Sequence, residues 1–156
     1  MKISKILCAV LALCLFTYNC FSEEIKRSVI VSKLGGEVML KHGGPGTWEN
    51  AKIGDVLTEG SFIKTGLGGR AVLTVDGATH QAAIVDMDEK SLLSFTTLAH
   101  EATTGTNKTL LDLAIGQILI KAEKLDTPES KFEVKTPTSV VGVRGTKFSV
   151  KVDAVK

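Results

Sequence analysis

The sequence TPTSVVGVRGTKFSV at residues 136–150 decides the fold class of this chain. It places two short runs of β-branched and aromatic residues on either side of a glycine-bent connection, a composition typical of strands. Pro137 fixes its own φ and pushes the residue before it toward extended geometry. Gly142 and Gly145 permit bends that a run of valines would resist. None of these side chains has the arrangement of a catalyst, so the stretch predicts a β module and no reaction.

Outward from this stretch, apolar and polar residues alternate with a period of two along most of the chain, as strands require. The segments between the alternating runs contain Gly, Pro, Asp and Asn, which favour turns. For residues 92–100 a short helix is an alternative, although two adjacent threonines argue against it. The predicted strands are Val29–Lys33, Glu37–Lys41, Phe62–Thr65, Arg70–Val75, His80–Val85, Ser91–Thr96, Leu110–Ala114, Gln117–Lys121, Lys131–Lys135, Ser139–Val143 and Lys147–Val152.

A glycine-led pattern recurs at Gly36–Leu40, Gly69–Leu73 and Gly116–Ile120. Each glycine is followed by a polar residue and then by apolar residues two apart, which indicates a turn that leads into a strand. The unequal spacings exclude a regular repeat array. We therefore expect an all-β fold in the form of an irregular β-solenoid or roll, with a β-sandwich or barrel as the alternative.

The first 22 residues have the pattern of an export signal. Lys2 and Lys5 give a basic start, residues 6–16 form an unbroken apolar run, and residues 17–22 are more polar. Such a run is too short to span a bilayer as a helix, which takes about 20 residues. We therefore expect a signal peptide at 1–22, an exported, periplasmic mature protein and no transmembrane helix.

The three cysteines of the chain, the last of which is Cys20, all lie in or beside this leader, so no disulfide is predicted in the mature part. Cys20 is a candidate for lipidation. Cleavage before it would define a leader of residues 1–19 and make Cys20 an acylated first residue, as in bacterial lipoproteins. Asn19 is small enough for such a site, whereas the two residues before it depart from the usual pattern. Ordinary cleavage after Ser22 therefore stays open.

The mature part of the chain is electrically neutral. Two of the 19 basic residues lie in the leader, and the 17 that remain balance 17 acidic residues. Nucleic acids are bound by concentrated basic surfaces, so this composition argues against that class of function. After a short polar tether at 23–27, residues 28–156 have the size of one domain that buries a core without disulfides or metal.

Five blocks, in a fixed order along the chain, carry a resemblance to a known family. The chain resembles FecR domain proteins over nearly the whole mature length. The resemblance implies an exported, mostly β domain that works by binding proteins. In the founding members the domain lies in the periplasm, senses an outer-membrane iron-siderophore receptor and controls a sigma factor across the inner membrane. The blocks are Gly36–Val38, Trp48–Gly66, Arg70–Gly77, Leu113–Ile118 and Thr136–Val150.

The chain departs from those members at both ends. We expect a cleavable leader where they have a cytoplasmic segment and a membrane helix, and the sequence ends at Lys156 where they continue into a receptor-contacting domain. The resemblance therefore implies the fold and the compartment, but not sigma-factor regulation. We expect a stand-alone exported FecR domain.

Three residues are candidates for partner binding, because binding residues gather on loops held by a rigid scaffold. Trp48 ends a glycine-rich loop at 42–48 and is the only tryptophan, a residue enriched in binding hot spots; its alternative role is to cover one end of the core. His100 lies in a polar segment, 96–109, that is predicted to be a loop. Arg144 lies among glycines, with hydrogen bonds to turn carbonyls as its alternative role.

No metal, cofactor or catalytic site is predicted. His42, His80 and His100 are too scattered for zinc, which needs three or four converging ligands. The acidic residues at 86–89 are expected to form a solvated turn, since calcium needs six to eight oxygens. The loop at 66–70 lacks the Gly-Lys-Ser/Thr ending of a phosphate loop. No nucleophile lies beside a base, so an enzyme is not expected.

The leading hypothesis is a non-catalytic exported domain that binds another cell-envelope protein as a sensor or adaptor. The alternative is a cell-wall or glycan-binding module, suggested by Trp48 beside a polar glycine loop, because aromatic faces stack on sugars. Contact with a membrane is expected only through a lipid anchor at Cys20.

Overall fold

The computed structural model describes residues 24–76, 81–125 and 127–153. The predicted leader with its lipidation candidate Cys20, and also His80, lie outside the described residues. The described part of the chain contains no helix and forms a 13-stranded sheet. Its strands are β1 (Glu24–Lys26), β2 (Val29–Gly35), β3 (Val38–Lys41), β4 (Glu49–Asn50), β5 (Val56–Leu57), β6 (Phe62–Thr65), β7 (Arg70–Asp76), β8 (Gln81–Met87), β9 (Leu92–Glu101), β10 (Thr106–Ala122), β11 (Lys131–Lys135), β12 (Val140–Val143) and β13 (Lys147–Val152).

The predicted all-β class is confirmed, and several strands have the predicted bounds. Phe62–Thr65, Lys131–Lys135 and Lys147–Val152 agree at both ends. Residues 92–100, for which a helix was the alternative, lie in β9. Alternation of side chains located these strands because one face of each is buried and the other faces solvent.

The structure differs from the prediction in several places. Residues 24–26, in the predicted tether, form β1 and pair with β9. The segment 96–109 is not a loop: it continues β9 and begins β10, and only residues 102–105 form the turn between them. The two strands predicted at 110–114 and 117–121 are parts of the single strand β10.

Strand β10 belongs to both halves of the sheet. Its first part pairs with β9 in antiparallel and with β11 in parallel orientation. Its last part pairs with β8 and β13, both antiparallel. The sheet path is β4-β3-β6-β9-β10-β8-β7-β2-β5, so β10 joins the half that contains β9 to the half that contains β8. The result is a curled, largely antiparallel half-barrel, nearest to the roll and barrel forms considered above.

Gly116 is the position at which β10 passes from one half to the other. Its φ is +99°, and the ladder with β9 shifts register between Leu113 and Ile115 just before it. A Cβ at this position would lie 2.2 Å from Ser91 Oγ and 2.4 Å from Ser91 Cα. Ser91 Oγ in turn accepts a hydrogen bond from the Gln117 N–H at 3.0 Å. Only glycine permits both this φ and this close approach.

One hydrophobic core lies inside the curl. Both halves of the sheet contribute their inward faces to it, because alternate residues on each strand point the same way. The outward faces contain polar residues mixed with partly exposed aliphatic ones. Fully buried core side chains include Leu40, Ile63, Leu93, Phe95, Leu111 and Leu113 from one half and Val31, Leu73, Val85, Met87, Ile118 and Ile120 from the other.

Arg27 fastens the N-terminal segment to this core. The residue is only 5% exposed, and burial lowers the pKa of its guanidinium. Its Nε donates to the Asp76 carbonyl at 2.7 Å and its Nη1 donates to Thr109 Oγ1 at 2.9 Å. Nη2 has no hydrogen-bond partner among the described residues. These two hydrogen bonds hold the segment after β1 against the end of β7 and against β10. The sequence analysis predicted a tether at this position.

Gly116→Ala tests the pivot of β10. We expect the free energy of unfolding in urea to fall by about 3 kcal/mol, because the new methyl group combines a strained φ with overlap against Ser91. Gly142→Ala is the control, since no atom lies within 4 Å of its added Cβ. Its free energy of unfolding should change by less than about 1 kcal/mol. Equal effects of the two substitutions would contradict the role of Gly116.

Candidate binding surfaces

The two halves of the sheet leave a cleft where β10 passes between them, here named the seam cleft. Pairing of β10 with β11 ends at Asp112, and pairing with β13 begins at Gly116. Residues 113–115 therefore lack a strand partner on that side of β10. Two adjoining cavities of about 610 and 530 Å³ lie here and share Ile115 and residues 151–153 in their lining. One reaches residues 68–70 and 88–90, and the other reaches residues 136–139.

Several charged groups in the seam cleft are already paired. Arg70 donates from Nε to Asp88 Oδ1 at 3.2 Å, and this bond raises the pKa of Arg70 above its ordinary value. The Gly68 N–H donates to Glu89 Oε2 at 2.6 Å. Lys151 Nζ lies 2.9 Å from Asp153 Oδ1. Three carboxylates that line the cleft, those of Asp88, Glu89 and Asp153, therefore already have partners within the protein.

The acidic residues at 86–89 do not form a cation site in the structure. Asp88 is engaged by Arg70, and Glu89 is engaged by the Gly68 N–H. Over the described ranges, no group of three or more His, Cys, Asp or Glu residues converges on a point that would hold a metal ion.

A second surface, the aromatic face, comprises Trp48, Phe62, Lys41 and Lys64 on the outer side of β3 and β6. Trp48 is half-buried, and Lys64 Nζ lies 4.4 Å from the centroid of its ring. Lys41 Nζ lies 5.9 Å from the centroid of Phe62, which is 37% exposed. Such cation–π contacts contribute about 0.5–1 kcal/mol at exposed sites. The face thus combines two rings with two ammonium groups.

His100 belongs to neither surface. It lies in β9, where it is paired with Ile25 of β1 and with Asn107 of β10. Its Nδ1 lies 3.0 Å from Asn107 Oδ1, so the imidazole links two neighbouring strands. This contact gives His100 a structural role. His42, the other described histidine, lies 3.5 Å from Glu49 Oε1 through Nε2, and both side chains are exposed.

Arg144 lies in the turn between β12 and β13 and is exposed. No hydrogen bond or ion pair joins its side chain to a described residue, so the bonds to turn carbonyls considered from the sequence are not found in that part of the chain. Gly145, beside it, has a φ of +63° and packs against the backbone of Lys124. Trp48, His100 and Arg144 therefore lie on three separate parts of the surface.

The comparison with protein families decides the family of this chain. A model of the FecR protein family matches residues 61–156. The chain belongs to the FecR family. The match contains every residue that lines the seam cleft, from Gly68 to Asp153. The loop that carries Trp48 lies before the matched region. The comparisons with curated proteins and with solved structures gave no match.

FecR proteins are regulatory and signalling proteins associated with the cell envelope, and they are not a known family of enzymes. The three later blocks of the sequence resemblance lie wholly inside the matched region, whereas the block at 36–38 and most of the block at 48–66 precede it. Across the described residues, no helix is long and apolar enough to span a membrane.

The seam cleft was not predicted from the sequence, because its lining comes from segments that are far apart along the chain. The contributing segments are 68–70, 88–90, 114–117, 136–139 and 150–153. Two of these, 68–70 and 114–117, contain glycines that the sequence marked as turns. The sequence does indicate a bend at Gly116, because this glycine interrupts an apolar run. Only the pairing of the strands shows that a cleft forms there.

Proposed function

We propose that this FecR-family protein is a non-catalytic domain of the cell envelope that binds another envelope protein and acts as a sensor or adaptor. The family match over residues 61–156 carries the proposal. The seam cleft supports it, since all of its lining lies in the matched region and several of its charges are internally satisfied. A cleft of this kind offers backbone edges and partly buried apolar groups, which recognise a polypeptide.

In this proposal the predicted leader exports the protein, and the function is performed outside the cytoplasm. Lipidation of Cys20 would hold the domain at a membrane surface, and the described fold starts only a few residues later, at Glu24. The intact mass of the protein purified from its host checks this, since acyl chains on Cys20 add a characteristic mass.

Site-specific photo-crosslinking tests the proposed partner binding. A photoreactive residue at Gln117, in the lining of the seam cleft, should form a covalent adduct with a second protein in intact cells. The same residue at Lys131, exposed on β11 outside the cleft, is the matched control and should give little or no adduct. Absence of any protein adduct from Gln117 would contradict the proposal.

The second candidate function is a glycan-binding module, and the aromatic face is the observation that favours it. Trp48 and Phe62 each lie beside a lysine, an arrangement that suits sugars carrying negative groups, because rings stack on sugar faces and ammonium groups attract carboxylates. Lys64 covers one side of the Trp48 ring, which leaves less of that ring for stacking.

Sedimentation with purified peptidoglycan tests this second candidate. If the aromatic face binds glycans, the protein should sediment with the polymer, and Trp48→Ala should reduce the bound fraction several-fold. Ile53→Ala is the control, because Ile53 is 68% exposed but lies off the aromatic face. Failure of the unmodified protein to sediment, or equal sedimentation of both variants, would exclude the glycan function.

A further inference from the structure

Strand β13 is the longest strand at an edge of the described sheet. It pairs with β10 through six residues, and no described strand pairs with its other side. The other edge strands are shorter: β4 and β5 have two residues each, β1 has three and β12 has four. An edge strand of this length, without proline, is a template on which an extended peptide adds as a further strand.

The backbone groups that face the free edge of β13 follow from the hydrogen bonds to β10. The Ala122 N–H donates to the Thr146 carbonyl at 3.2 Å, so Thr146 faces β10. In an antiparallel ladder, residues that face the partner alternate with residues that face away from it. The positions whose N–H and C=O groups point to the free edge are therefore Lys147, Ser149 and Lys151.

The side chains of the same three positions are exposed on the outer face of the sheet, and two of them are positively charged. Lys147 lies directly opposite Lys121 of β10, an exposed like-charge pair that is unfavourable by itself. Arg144, just before β13, adds a third exposed cation without a described partner. Nearby acidic groups are the exposed Glu123 and Asp153, of which Asp153 pairs with Lys151.

The inward side of β13 is apolar and incompletely covered. Val150 is buried, whereas Phe148 and Val152 pack against the core but stay partly exposed. The cavity of about 530 Å³ in the seam cleft is lined by residues 150–153 and by the turn at 136–139, so there is open space beside the second half of the strand. An added strand would cover these apolar groups with its own.

Pairing of β13 with the β13 of a second copy is disfavoured by charge. Side chains opposite each other in a ladder lie on the same face, so the fully overlapping antiparallel register would place Lys147 of one copy opposite Lys151 of the other. Lysines at an edge strand protect against such self-association. They attract a strand of opposite charge.

We propose that the free edge of β13 binds an extended segment of the partner protein, in which acidic residues alternate with apolar ones. The acidic residues pair with Lys147 and Lys151 on the outer face, and the apolar residues cover Phe148 and Val152 on the inner face. The segment continues the half-barrel by one strand. This inference rests on the proposed binding of an envelope protein and specifies where and how that protein binds.

A fluorescein-labelled octapeptide that alternates Glu and Val tests the proposal by fluorescence anisotropy with the purified full chain. We expect binding that weakens as salt rises, because exposed charge pairs are screened. A peptide that alternates Lys and Val is the control and should not bind. Absence of binding, or equal binding of the two peptides, would overturn the proposal.

Backbone pairing is tested separately with Ser149→Pro. Proline removes an N–H that faces the free edge and none of the ladder bonds to β10, so the fold should persist while peptide binding is lost. Ser149→Ala is the matched control, because it removes only the hydroxyl that donates to the Ile118 carbonyl at 3.2 Å. Circular dichroism establishes whether Ser149→Pro is folded. Undiminished binding by a folded Ser149→Pro variant would overturn the proposal.

If Ser149→Pro does not fold, amide hydrogen exchange of the unmodified protein decides. The N–H groups of Lys147, Ser149 and Lys151 should exchange quickly in the free protein and at least tenfold more slowly with bound peptide. Unchanged exchange at all three amides would overturn strand addition.

The charge requirement is tested with the double variant Lys147→Glu and Lys151→Glu, which should weaken binding by about tenfold, since two attractive cross-strand pairs become repulsive. The matched control is Lys108→Glu with Lys131→Glu, two exposed lysines opposite each other on β10 and β11. This control carries the same change in net charge and should bind as the unmodified protein does. Equal losses in both double variants would show non-specific attraction and overturn the proposed site.

The same variants separate this inference from the proposed function. If crosslinking from Gln117 captures a partner in cells equally well with and without the substitution Ser149→Pro, partner binding stands and the edge-strand proposal falls. If no partner is captured in either case, the proposed function itself falls.

Discussion

The close approach of Gly116 to Ser91 is the constraint on which the rest of the structure depends. β10 is a single strand of seventeen residues, yet it pairs with one set of strands before this point and another set after it. The positive φ of Gly116 and the absence of a side chain let the strand turn while Ser91 bonds to the backbone of Gln117. Both halves of the sheet can then face one core.

The bend at Gly116 also interrupts strand pairing along one side of β10. Strands β11 and β13 approach the interruption from opposite directions and stop short of each other. The seam cleft is the space between their ends, and the free edge of β13 borders it. The candidate binding surface therefore arises from the same geometry that closes the core. It consists of exposed backbone groups, ion pairs and partly exposed apolar side chains.

Side-chain alternation predicted most strands because burial of one face leaves a pattern with a period of two. It failed at β1 and in the hairpin between β9 and β10, where polar residues occupy strands that hydrogen bonds hold in place. Arg27 shows the same limit: a charged residue in a polar segment is buried because Asp76 and Thr109 supply acceptors from distant strands. Among the candidate residues, His100 contacts Asn107 on the neighbouring strand, whereas Arg144 is exposed just before β13.

The amino-acid sequence by itself determined the all-β class, the faces of the strands and the glycines that permit bends, since these follow from local sterics and from the partition of apolar side chains. It also contained the family pattern, which the match over residues 61–156 confirms. Only the tertiary structure decided that two predicted strands are one, that Gly116 is its pivot, and that a cleft lies beside a lysine-bearing edge. These features depend on which strands pair and where pairing stops. Strand pairing depends on contacts between residues that are far apart in the chain, and a local sequence pattern does not show those contacts.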